Sequence, residues 1–181
     1  MVAFHDAEFA YELVPAEELG DFDAKDGIAF DLVWHSTGPK PRSGAKPDPD
    51  NWTHFFGAAV TVALDRFADG PRTPAFGDDK TKVVWSIEPV GPLIDGTEAE
   101  PRTFELQFDK LFLQTKPSKL HDLPVARYKL TGKRVAGDGT ETPLRLRVDS
   151  DKEWRDEIEF EIYTYAGGKD AIGPTVRCGA K

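Results

Sequence analysis

The sequence predicts an all-β, mainly antiparallel fold: a single domain over residues 1–181, built as a β-sandwich or a small β-barrel. Three observations carry this expectation. Period-two alternation of apolar and polar residues recurs along the chain, as it does in strands with one buried face. Clusters of Pro, Gly and Asp separate the alternating runs at intervals suited to turns. Finally, 181 residues that are 39% hydrophobic, with twelve Phe, four Trp and four Tyr, have enough apolar material for one packed interior.

The first run, EFAYELV at 8–14, places Phe9, Tyr11 and Leu13 on one side, and Pro15 ends it. A polar excursion follows. IAFDLVW at 28–34 then alternates again, with Ile28, Phe30, Leu32 and Trp34 together on one face. Between Trp34 and Trp52 the prolines and glycines exclude regular structure, so residues 36–50 are expected to form a flexible Pro/Gly-rich loop.

The next segment departs from the strand pattern. Phe56, Ala59, Val60, Ala63, Leu64 and Phe67 recur at helical spacing, Asp48 or Asp50 is placed to cap the start, and Gly70-Pro71 suits the stop. The expectation is one α-helix over about 51–68 on an otherwise β frame. Val60, Thr61 and Val62, β-branched in a row, pull the other way. Further alternating runs cover 83–90, 103–113, 125–135, 143–148 and 156–165, which makes seven in all. Asp138-Gly139, between two of them, is a hairpin signal because glycine accepts a positive φ.

Charge narrows the function classes. The net charge of −9 opposes nonspecific nucleic-acid binding, which needs a basic surface to displace counterions. The segment 110–147 is nonetheless basic, with nine bases against three acids. Arg145 and Arg147 lie opposite Leu144, Leu146 and Val148, while Glu157, Glu159 and Glu161 oppose Ile158, Phe160 and Ile162. Pairing of these rows, with Arg127 and Lys129 extending the same outer face, gives a solvated sheet surface that fixes register.

Motifs for cofactors and metals are missing. GxGxxG, GxxxxGK[ST] and GxSxG do not occur, and the four histidines form neither HExxH nor HxH. Neither a cofactor nor a metal is expected. Cys178 alone allows no internal disulfide, and the opening residues carry Asp6, Glu8 and Glu12 where a secretory signal needs a basic start and an apolar run. No run approaches the roughly 18 apolar residues of a membrane-spanning helix. The expected setting is therefore cytoplasmic, with neither membrane nor nucleic acid as partner; the sequence leaves the oligomeric state open.

Candidate site residues cluster at the two ends of the Pro-rich loop. Trp34 and His35 precede it, and Trp52 and His54 follow it. If the loop closes on itself, two indole walls and two imidazoles, side chains able to serve as acid, base or hydrogen-bond donor, converge at one mouth. Trp85 is a further candidate for ligand contact. Glu88 is a weak catalytic candidate alongside His35 and His54, should it face an apolar interior. The leading functional expectation is a binding module for a small hydrophobic or aromatic ligand, or for a protein partner. The alternatives are a cofactor-free cyclase- or isomerase-type enzyme with an apolar barrel pocket, and an assembly subunit that docks through the acidic segment before residue 32. A small barrel with aromatic lining is similar in architecture to lipocalin-like binders and barrel-shaped cyclases, although the G-x-W signature of lipocalins is absent from the first strands.

Overall fold

A computed structural model describes residues 2–4, 7–9, 13–15, 32–34, 37–40, 48, 51–64, 79–93, 96–107, 118–149, 151–164 and 171–180. The described part is all-β and includes a nearly closed, barrel-shaped sheet. Two short pairs stand before it in the chain. β1 (Val2–Phe4) pairs β2 (Ala7–Phe9), and β3 (Leu13–Pro15) pairs β4 (Leu32–Trp34), with Leu13 opposite Trp34.

The main sheet is assembled from β5 (Ala58–Leu64), β6 (Lys82–Pro89), β7 (Arg102–Gln107), β8 (Ser118–Leu123), β9 (Arg127–Val135), β10 (Glu141–Val148), β11 (Glu157–Glu161), β12 (Tyr163–Thr164) and β13 (Ala171–Ala180). Its strands run in the order β7-β6-β9-β10-β13-β5-β8, and β13 beside β5 is the parallel neighbour among otherwise antiparallel pairs.

Alternation sets the inner face. Val83, Trp85 and Ile87 of β6 point inward, as do Tyr128 and Leu130 of β9, and they meet Leu144, Leu146, Val176 and Cys178 from the opposite wall in one buried cluster. Trp85 is completely buried and packs over Gly132, its cross-strand partner in β9. A large indole facing a residue without a side chain fills the interior at ordinary core density.

The partner of β9 changes midway along the strand. β10 pairs with it only through Glu141–Pro143, and β11 then takes Arg127–Thr131. Pro143, the last β10 residue in that ladder, has no N–H to continue it. β10 bends away toward β13, and β11 fills the edge it leaves. Between them, Leu146 and Arg155 exchange both backbone hydrogen bonds, at 2.7 and 2.8 Å.

The expected helix over about 51–68 is corrected here. Residues 52–54 make a single 3₁₀ turn and residues 58–64 are strand β5; residues 65–68 lie outside the described residues. The apolar stretch GAAVTVAL serves both periods, and burial of Ala58, Val60 and Val62 in the sheet interior favours period two. Their β-branched neighbours fit a pleated surface and lose rotamer freedom in a helix. A strand so apolar matches its position between β13 and β8, inside the sheet.

The charged rows on the outer face also pair differently from the expectation. The glutamates of β11 face β9, where Arg127 meets Glu159 at 2.6 Å and Lys129 meets Glu88 at 3.2 Å. Arg145 reaches Asp156, and Arg147 lies over the Trp154 ring. The hairpin at Asp138-Gly139 is as expected: Ala136 N–H donates to Thr140 O at 2.9 Å, and Gly139 has φ 87°.

Candidate functional site

β7 and β8 end the strand order on either side, so the barrel has a seam between them. Two features of the sequence keep this seam from closing as a plain ladder. In β8, Leu120 and Leu123 are both fully buried although they are three residues apart, which strict alternation forbids. The ladder to β5 absorbs the difference in a bulge: Ala58 sits opposite Leu123 and Val60 opposite Leu120, two steps against three. Asp122 is the residue that takes up the slack, with φ at 60°, the left-handed region that a non-glycine residue enters only at a cost.

Its neighbours hold Asp122 in place. Gly57, just before β5, lies so close that a Cβ there would sit inside the contact distance of the Asp122 backbone. Gly38 N–H donates to Asp122 Oδ1 at 2.7 Å, and the Arg102 guanidinium donates to the Asp122 carbonyl oxygen from across the seam. Arg102 is on the inward register of β7 with Phe104 and Leu106, and its guanidinium lies 5.2 Å from the centre of the Phe104 ring.

Around this lock lies a cavity of about 430 Å³. Its apolar wall comes from Ile87, one step beyond Trp85 on the inner face of β6, with Leu93 and Pro101 from the β6–β7 connection and Pro124 after β8. Arg102, Asp122 and Glu100 provide its charges, and Thr37, Ala99 and Tyr128 complete the lining. The Tyr128 hydroxyl donates to Pro124 O at 2.8 Å, and burial pushes its pKa far above the ordinary phenol value, against the weaker opposing pull of Arg102. Burial thus favours the neutral hydroxyl, which donates to the Pro124 carbonyl.

The loop expected at 36–50 falls mostly outside the described residues, but its base is in view. Pro39 bridges Phe55, with Lys40 N–H donating to His54 O and Phe56 N–H to Gly38 O, both at 2.8 Å. Residues 38–40 and 54–56 therefore meet, and this base delivers Thr37 to the cavity and the Gly38 N–H to Asp122.

The residues singled out from sequence take varied places. His54 is held in the loop base, its Nδ1 accepting the Asp48 N–H at 3.0 Å and its Nε2 lying 2.9 Å from the Asn51 side-chain amide. Trp85 belongs to the core, with its indole N–H buried and unpartnered. Glu88 is on the outer face, where its hydrogen bond holds the Lys129 pKa above the usual lysine value. Trp34 lies in β4 and Trp52 begins the 3₁₀ turn, but their side chains are outside what the structure describes, as is all of His35. Arg102 and Asp122 were missed. The available signal was the inward register of Arg102, a cation in step with Phe104 and Leu106. Asp122 left none, since its role arises from a bulge.

Among the described residues no helix is long and apolar enough to cross a membrane, and no group of three or more His, Cys, Asp or Glu side chains is placed to hold a metal ion. No family model, curated protein or solved structure matches the chain.

Proposed function

We propose that this chain is a binding module for a small, partly apolar molecule, with the seam cavity as its site. The observation that carries the reading is the cavity itself: about 430 Å³, within the size range of small-molecule sites, open to solvent and lined by apolar and polar residues in equal share. The filled interior supports the same assignment. Among the described residues Trp85, Leu130 and Leu144 fill the barrel interior, and the seam cavity lies outside that filled core.

A thermal-shift screen of small aromatic and cyclic fragments tests this reading, run in parallel on the wild type and on Ala99→Trp, which places an indole at the cavity wall. A fragment present at a hundred times its Kd is expected to raise the wild-type Tm by about 5–10 °C, and to lose that effect in the variant. Equal shifts in both proteins, or none in either, would refute it.

A further inference from the structure

Three charged residues, Glu100, Arg102 and Asp122, line the seam cavity. On the outer face Lys82, Arg127, Lys133 and Arg177 each face a carboxylate within 4 Å. Arg102 does not: its guanidinium gives a hydrogen bond to the Asp122 backbone oxygen and lies beside the Phe104 ring, and no carboxylate of the described residues pairs with it. A guanidinium has five N–H donors in a planar fork suited to a carboxylate. The same cavity carries Asp122, whose described side-chain bond is the one from Gly38 N–H to Oδ1, and Glu100, which is exposed. A carboxylate can accept about four hydrogen bonds, so acceptor capacity remains on both acids.

Resting on the reading of this cavity as the ligand site, we infer that its ligand is a small zwitterion: a compact apolar molecule with one carboxylate and one ammonium group, as in an apolar α-amino acid. The carboxylate takes the free edge of the Arg102 fork. The ammonium answers Asp122 and Glu100. The apolar body lies against Ile87, Leu93 and Pro124. A ligand with only one of these charges meets its counter-charge but also the like charge beside it, which costs affinity. The strained Asp122 backbone fits this role, because the bulge that holds it brings its carboxylate and carbonyl together with Arg102 at one seam.

Isothermal titration calorimetry with four probes of one shape decides the matter: phenylalanine, 3-phenylpropanoate, 2-phenylethylamine and neutral 2-phenylethanol. Phenylalanine is expected to bind at least tenfold more tightly than the other three. Arg102→Gln should cost phenylalanine and 3-phenylpropanoate tenfold or more and leave 2-phenylethylamine unweakened. Glu100→Gln, in an exposed connection where folding is not at stake, should weaken phenylalanine and 2-phenylethylamine and spare 3-phenylpropanoate. Equal affinity for all four probes, or tighter binding of a singly charged one, overturns the zwitterion and leaves the cavity as a ligand site. Binding of none, the neutral probe included, overturns both.

Discussion

Gly57 and Asp122 form a pair in which each explains the other. Asp122 occupies the left-handed region because the β8 bulge demands it, and the bulge fits against β5 because Gly57 presents no Cβ. Gly57→Ala is therefore expected to destabilise the protein by about 1–3 kcal/mol, the usual cost of overpacking, as measured by urea denaturation; a change below about 0.5 kcal/mol would contradict the close approach. Asp122→Gly should relieve the backbone strain while losing the bond from Gly38. Tyr128 makes a second residue-scale prediction. Its phenol pKa is raised in the folded state, so its contribution to stability is complete below the unfolded value of about 10 and is lost as pH rises through the folded value. In a spectrophotometric titration near pH 11, Tyr128→Phe should leave the native tyrosinate signal nearly unchanged, because burial holds the Tyr128 pKa well above the ordinary phenol value. A clear drop in that signal would show that Tyr128 ionises in the folded protein.

Among the elements, β13 deserves the strongest prediction. It lies between β10 and β5, with Val176 and Cys178 fully buried, so it is an interior strand of the sheet. Removing residues 171–181 should abolish the folded state, seen as loss of near-ultraviolet circular dichroism, and a folded truncated protein would contradict the topology. In the intact protein the Cys178 thiol should react with a disulfide reagent only at the rate of unfolding. None of this was legible in a tail with Gly173, Pro174 and Gly179, where a strand pattern is diluted by residues of low strand propensity. Strands β6, β9, β10 and β11 were legible because each has one buried and one solvated face, and alternation records that directly. β5 was misread for the opposite reason: a strand between two others with few polar residues loses its alternation, and its apolar positions then satisfy helical spacing as well. β8 was not seen because the bulge puts Leu120 and Leu123 out of step. Of the candidate site, the sequence named loop closure only as a condition for Trp34, His35, Trp52 and His54 to converge, and the cavity depends on a seam that only the strand order reveals.

At the scale of the whole molecule, an acidic chain carries paired charges on its outer face, while Arg102, on the inward register of β7, has no carboxylate partner among the described residues. The outer pairs are exposed, and such pairs contribute only about 0–1 kcal/mol each, so raising salt to 1 M should change the unfolding midpoint little. The seam, where Arg102, Asp122 and Glu100 line one cavity, is where we propose that a ligand binds. The most direct test is therefore a ¹⁵N–¹H correlation spectrum of the intact protein titrated with phenylalanine. The predicted result is saturable shifts centred on the amides of Gly38, Ala99, Arg102 and Asp122, the backbone around the cavity. Shifts centred elsewhere on the barrel, or a spectrum that does not move, would contradict the assignment of the seam as the binding site.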